Sequence, residues 1–351
     1  MALEMRRRKE KKMRQSRLTA ALAILTLTFI ANGRAPAQSP MDARQAEETR
    51  YEGTVAIWYG SHFENTGSHD WKPIKEWNGP FHPILGNYKT DHRKAVRRHL
   101  RWLRRAGVDV IVYDTCRIQP ELTLLDLPKQ KTLQLLEEEL AHQEKESRKL
   151  SLVVWMEKWN SNPTPQQYRF ALDYVRQNLA DRDFYYHLDG KPLVMTYLNG
   201  PAPELDVIDQ EYRPYLTLRR VSPAAQTPGW KYFGPAGDKE CMTVNPGANG
   251  FMEDAFIAKY IHHRAVDDNA LRQCGKAMIQ QRADGQYFES QLLKAREVDP
   301  KVIFISGWND WAWCLQIEPA KEYGFKYVDM AARLLGRASE TRAYREPQPR
   351  R

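Results

Sequence analysis

Eight short apolar runs, most of them separated by longer amphipathic stretches, constrain the fold of this 351-residue chain more than any other feature. The runs fall at 54–59, 108–114, 150–157, 192–198, 215–222, 230–233, 241–245 and 302–308, and each reads as a strand. Helical patterns occupy 91–106, 129–148, 165–179, 202–213, a part of 253–273, 287–297 and 319–335. Only the step from the sixth run to the seventh is too short for a helix. This β-α repetition predicts a (β/α)₈ TIM barrel. An open doubly wound sheet is the rival, but no Gly-rich phosphate loop follows the first strand.

The ends of the chain read differently from its body. Arg6, Arg7, Arg8, Lys9, Lys11, Lys12, Arg14 and Arg17 precede an apolar stretch at 18–31 and the small-x-small triplet Ala35-Pro36-Ala37. Residues 1–37 therefore read as a signal peptide, and the protein is expected to be exported, with a membrane link only through an uncleaved anchor. The whole chain carries 53 basic and 44 acidic residues. The leader holds nine and two of these, so the remainder has 44 against 42, a net charge of +2. That near-balance removes the main argument for nucleic acid as a partner. Residues 38–50 read as a flexible lead-in, 51–336 as the barrel, and 337–351 as a disordered tail. Cys116, Cys241, Cys274 and Cys314 are widely spaced, which leaves disulfides and buried thiols both open.

Barrel strands deliver their C-terminal ends to one mouth. The first ends at Tyr59, the second at Asp114, the third at Glu157 followed by Trp159, the fourth at Tyr197, and the eighth runs into Trp308-Asn309-Asp310-Trp311-Ala312-Trp313. Carboxylates Asp114, Glu157 and Asp310 are the candidate acids. Each also has a plain structural reading: Asp114 could pair with Arg117, and Glu157 with Lys158. Trp71, Trp77, Trp159, Trp311 and Trp313 lie beyond strand ends, where indole rings can stack on sugar faces. Glu318 precedes Pro319 as though opening a helix, where a carboxylate is favoured by about 0.3–1 kcal/mol. His62, His69, His82, His262 and His263 lack metal-site spacing, so neither metal nor cofactor is expected.

Trp308-Asn309-Asp310-Trp311, followed by Gln316-Ile317-Glu318-Pro319 and Tyr323-Gly324, resembles the strand-eight signature of endo-α-mannosidase-like glycoside hydrolases, families 99 and 71. Pro83-Ile84-Leu85-Gly86-Asn87-Tyr88 and Arg282-Ala283-Asp284-Gly285-Gln286-Tyr287 resemble them more weakly. The resemblance implies a barrel glycosidase acting without a cofactor on an α-linked glycan. In family 99 the first motif Glu assists the substrate's 2-hydroxyl and the second is the general acid/base. Here those positions hold Asp310 and Trp313. Either Glu157 or Asp114 supplies the acid beside Asp310, or Asp310 is paired differently for another linkage, or catalysis is lost and the barrel binds glycans. Tyr59, Trp159, Tyr197, Asn309, Trp311, Trp313 and Glu318 are the expected sugar contacts.

Overall fold

The computed structural model describes residues 41–60, 81–86, 88–115, 123–158, 161–198, 200–222, 229–247, 281–311 and 314–344. The expected leader, the 253–273 helix and the tryptophans Trp71, Trp77, Trp159 and Trp313 lie outside these. Among the described residues ten strands follow in chain order: β1 (Thr54–Gly60), β2 (Val110–Asp114), β3 (Ser151–Met156), β4 (His187–Leu188), β5 (Lys191–Tyr197), β6 (Thr217–Ser222), β7 (Trp230–Lys231), β8 (Ala236–Gly237), β9 (Cys241–Val244) and β10 (Val302–Ile305). Among the described residues the α-helices are α1 (Ala43–Glu48), α2 (Arg93–Arg105), α3 (Lys131–Ala141), α4 (Pro165–Tyr174), α5 (Pro203–Tyr212), α6 (Gln286–Val298) and α7 (Lys326–Leu334).

The sheet order is β7-β6-β5-β3-β2-β1-β10-β9-β8. Every pair from β7 round to β9 is parallel, and all eight predicted strands take part. The first strand therefore pairs with the last, Thr54 opposite Val302, which makes the sheet a nearly closed (β/α)₈ barrel. Two small antiparallel additions decorate it, β4 on β5 and β8 on β9. The second occupies the short step for which no helix was predicted. Between β7 and β9 no backbone ladder forms, and there the Thr243 hydroxyl donates to the Lys231 carbonyl at 2.6 Å. One side chain thus bridges the seam.

Alternation along the strands sorts side chains into two cores. Ala56, Trp58, Val110, Val112, Val153, Trp155, Leu193, Met195, Val221, Trp230, Tyr232, Val302 and Phe304 fill the barrel interior. Their neighbours Val55, Ile57, Tyr59, Ile111, Tyr113, Leu152, Val154, Val194, Ile303 and Ile305 face the helices. Tyr59 is therefore on the outer side of β1, a correction to its expected place at the mouth. Local signals start the helices well: Thr164 and Gln167 form a reciprocal cap before α4, with Pro165 opening the first turn.

Three further expectations are revised. Part of the lead-in folds: Ala46 in α1 is fully buried, and Arg296 donates to its carbonyl at 3.0 Å. The first half of the tail folds too, because the buried Arg337 guanidinium donates to the carbonyls of Gly107, Tyr51 and Gly53 and to the Asp109 carboxylate. Such fixed donors need the planar five-hydrogen fork of arginine. Finally, the last helix begins at Lys326 and not at Pro319. The intervening segment is held against the 82–84 stretch, with the Ile84 amide donating to Pro319 O and the Lys321 amide to His82 O. Cys241 and Cys314 are buried, and no helix among the described residues is long and apolar enough to cross a membrane.

The seam bond gives a direct test. Thr243→Val keeps the shape and deletes the donor that bridges β7 and β9, leaving Lys231 O exposed to an apolar neighbour. We expect a loss of about 1–2 kcal/mol in urea unfolding. Unchanged stability would show that the seam is closed by packing alone.

Candidate active site

The mouth is built by the residue one step above the last apolar inward residue of each strand. Asp114 stands two residues beyond Val112, Glu157 two beyond Trp155, Tyr197 two beyond Met195, and Tyr232 two beyond Trp230, so all four share the inward parity. Strand pairing sets their height: Asp114 lies opposite Gly60 on one side and Trp155 on the other. Beneath them is an aromatic floor. Trp155 stacks on Phe304 (6.0 Å, 26° between planes) and on Tyr197 (5.7 Å, 23°), and Tyr232 packs edge-on against Trp58 and Tyr197.

Tyr232 is hydrogen-bonded to one of the three carboxylates and lies in the field of the other two, and sequence reasoning missed it. Its hydroxyl donates to Asp310 Oδ2 at 2.9 Å. Burial raises its pKa well above the ordinary phenol value, and the negative charges of Asp310, Glu157 and Asp114 raise it further. A phenol held protonated in this way is a permanent donor toward Asp310. The signal for it was present: position 232 repeats the parity of Trp230 in a run read as a strand.

Glu157 is partly buried and accepts from the Trp155 indole N–H at 2.9 Å. Desolvation pushes its pKa from 4.5 up to about 7, with the indole hydrogen bond opposing the rise. Asp310 and Asp114 are 1% and 2% exposed. Ser306 continues the inward side of β10, and Asn245 follows β9 on the neighbouring strand. The Ser306 hydroxyl and the Asn245 amide are both fully buried and have no hydrogen-bond partner among the described residues.

Asn309 and Glu318 do other work than expected. The Asn309 amide accepts from the Gly60 N–H and donates to the Gly60 carbonyl, both at 2.8 Å, so it staples the end of β1 to the turn after β10. Glu318 is fully buried and opens no helix. Its Oε2 accepts from the Tyr88 hydroxyl (2.7 Å) and the Trp311 indole (2.9 Å), and its Oε1 meets His99 Nε2 at 3.2 Å. A carboxylate only accepts, so Nε2 carries the proton. With the imidazole neutral, Nδ1 then accepts from the Tyr59 hydroxyl at 2.9 Å. Tyr88 remains a donor, its pKa raised well above the ordinary value by burial and then by the Glu318 charge. These contacts place Tyr59, Trp311 and Glu318 in one buried network beside the mouth, with their polar atoms engaged by the protein itself.

The turn that carries Asp310 is held from both ends. Gly307 takes φ 127°, and a Cβ there would meet Leu315 O at 2.3 Å, so glycine is required. Leu315 N donates to Asp310 O and Ile317 N to Gly307 O. Across the turn, Arg282 is packed over Phe81 and Tyr327 and donates through Nη2 to Cys314 O and Gln316 O at 2.7 and 2.8 Å. Among the described residues no cluster of His, Cys, Asp or Glu is arranged to hold a metal.

Known structures share this architecture. Two structures of the GH99 endo-alpha-mannosidase from Bacteroides thetaiotaomicron, one in complex with BIS-TRIS-Propane, superpose with TM-scores of 0.52 and 0.55. Each is 17% identical, over 82% and 83% of this chain and 98% of theirs. A glycoside hydrolase-like protein superposes with a TM-score of 0.50 at 14% identity, over 88% of this chain and 98% of that one. A family model described as glycosyltransferase WbsX matches residues 253–331, under a quarter of the chain. No curated protein sequence matches. The resemblance read from strand eight thus holds at the level of the fold, a barrel shared with family 99.

The Glu318 network can be tested through stability. Tyr88→Phe removes one donor to a charged acceptor and is expected to cost about 1.5–3 kcal/mol. Glu318→Leu leaves three donors unmatched and should cost more, about 3–5 kcal/mol. Equal and small losses in chemical denaturation would refute a charged hub.

Proposed function

We propose that the chain is a glycoside hydrolase-like barrel that cleaves an O-glycosidic bond in an α-linked glycan. The observation that carries this reading is the gathering of Asp310, Glu157 and Asp114 around Tyr232 at an aromatic-floored mouth, one of them with its pKa near 7. Glu157 takes the role of general acid that Trp313 cannot fill: it gives its proton to the leaving oxygen as the C–O bond breaks. Asp310, steadied by the Tyr232 hydroxyl, supports the positive charge that develops at the anomeric carbon or the sugar hydroxyl that attacks it. Water then adds to the anomeric carbon and gives its proton to the Glu157 carboxylate, which restores the acid. Tyr197 is the described aromatic best placed to meet a sugar ring, and Trp159 and Trp313 join it in this proposal. The basic-then-apolar pattern read as a signal peptide at 1–37 supports a proposal of export, to where polysaccharides are met.

A second reading has its own support. Trp313 at the usual acid/base position favours a barrel that binds glycans without cleaving them. The family description, a glycosyltransferase, adds glycosyl transfer as a further outcome, with an acceptor hydroxyl in the place of water at the anomeric carbon.

The test is a screen of residues 38–351 for reducing-end release from α-mannans, α-glucans and host glycans, with an acceptor sugar added in parallel. Asp310→Asn and Glu157→Gln are each expected to lower turnover by about 10²–10⁴-fold. Unchanged turnover in both would sink the assignment, and binding without turnover in the unmodified protein favours the second reading. Because the acid must be protonated, activity should decline as pH rises through about 7, and the limb should vanish in Glu157→Gln.

Stability gives an independent readout. A carboxyl whose pKa is raised in the folded state keeps its proton where the unfolded chain has lost it, so folding is penalised as pH climbs from 4.5 to about 7. Glu157→Gln abolishes that penalty. The variant should gain up to roughly 3 kcal/mol on the parent above pH 7 and nothing below pH 4. A pH-independent difference between the two would show that the carboxyl is not raised.

A further inference from the structure

Two polar side chains at the mouth are left unused by the protein itself. Asn245 follows β9 and Ser306 follows β10, and their backbones are pinned: the Asn245 N–H donates to Gln291 Oε1 at 3.0 Å and the Ser306 N–H to Val244 O at 2.9 Å. Their side chains are the opposite case. Both polar atoms of the Asn245 carboxamide, and the Ser306 hydroxyl, are fully buried and unpaired among the described residues. Asn309 shows how an asparagine looks when it is structural, since both of its amide atoms are taken up by Gly60. A native interior seldom leaves polar groups unmatched, because their desolvation goes uncompensated and an apolar side chain of the same shape avoids that loss.

The two stand side by side next to Asp310. Val244 is paired with Ile305 in the parallel ladder, so Asn245 and Ser306 are the next step up on neighbouring strands. Both share the inward parity, Asn245 four residues beyond Cys241 and Ser306 two beyond Phe304, which fill the barrel interior. Around the barrel, β9 stands between β10 and β7. Gly234, two residues after Tyr232, rests on the end of β9, where a Cβ would meet Thr243 O at 2.0 Å. The hydrogen bond from Tyr232, after β7, to Asp310, after β10, therefore spans the strand end that carries Asn245. Asp310 and Asp114 are buried to nearly the same degree as the pair, so all four belong to one enclosed mouth.

We propose that Asn245 and Ser306 bind two adjacent, unsubstituted hydroxyls of the sugar ring held at Asp310. The inference rests on the glycoside hydrolase reading above and names the part of the substrate that is recognised. A carboxamide presents an acceptor and donors side by side, so it accepts from one ring hydroxyl through Oδ1 and donates to the next through Nδ2. The Ser306 hydroxyl can give or take one bond more, completing the pair. Both side chains are neutral and fit a neutral sugar, whereas a uronate carboxylate at this point has no proton for Oδ1. A ring acetylated or deoxygenated at these hydroxyls leaves the amide unmatched in a buried site, and sites of that kind reject near-identical ligands most strongly. The rival occupant is a resident water, which would make both side chains contributors to the stability of the sugar-free protein.

The test is calorimetric binding of α-mannotriose and maltotriose to residues 38–351 carrying Glu157→Gln, so that bound sugar is not consumed. Relative to this parent, Ser306→Ala should weaken binding about tenfold and Asn245→Leu at least about 100-fold. Without sugar, Ser306→Ala should unfold at the parent's temperature or above it, since it gives up no hydrogen bond. Monodeoxy forms of the bound probe should lose affinity for the parent at two adjacent positions and lose nothing further in Asn245→Leu. Undiminished affinity in both variants overturns the inference, as does a lower unfolding temperature of sugar-free Ser306→Ala, which would assign the hydroxyl to a resident water. The hydroxyl alone decides the matter if Asn245→Leu does not fold. A parent that binds neither probe removes the glycan reading and this inference with it, whereas a parent that binds while both variants keep its affinity defeats the inference alone.

Discussion

A buried carboxylate is the interaction on which the rest of this site depends. Taking Glu318 out of water costs several kcal/mol even after relaxation, and only matched donors offset it. They arrive from far apart in sequence: Tyr88 ahead of α2, His99 within it, and Trp311 on the turn after β10. Its own backbone adds more, with the Glu318 N–H on Trp308 O at 2.8 Å and its carbonyl accepting from Tyr323 at 2.7 Å. The geometry of one charge thereby fixes where a helix, two loops and a strand end meet. Asp310 lies inside the span so fixed.

The mouth follows from this arrangement. The network lies on the helix side of the sheet, whereas Asp310 turns to the barrel side and meets Tyr232. Asn309 and Trp311, its two neighbours, are both anchored to protein groups, which leaves the carboxylate between them as the residue presented inward. Opposite stand Glu157 and Asp114, on strands whose register is set by continuous parallel ladders. The division of labour is clear. Outer-face hydrogen bonds hold the acid in place, and inner-face burial sets the proton affinity of its partner.

Much of the fold was legible because parallel strands buried on both faces read as unbroken apolar runs, and the barrel follows from their number and spacing. Asp114 and Glu157 could be found at strand ends for the same reason. Tyr59, one residue beside Trp58, could not be assigned without knowing which of the two faced inward, since a single step reverses the side. Glu318 and Asn309 were beyond local reach altogether: their partners Tyr88, His99 and Gly60 are 219 to 249 positions away. The same holds for the start of α7, where Pro319 meets the local rule for opening a helix and contacts with the 82–84 stretch prevail. Tyr232 was visible in principle, but nothing near it in sequence marks it as the neighbour of three acids.

The Arg337 clamp bears on how the chain is made. It joins Gly53 across 284 positions, and β1 finds its second neighbour only when β10 exists. At about 5–20 residues per second, the first strand waits roughly 15–60 s after emerging from the ribosome before its contacts can be completed. Throughout that interval one edge of the sheet is open and the termini are untied. A nascent chain in this state is prone to capture by holdases and slow to become compact.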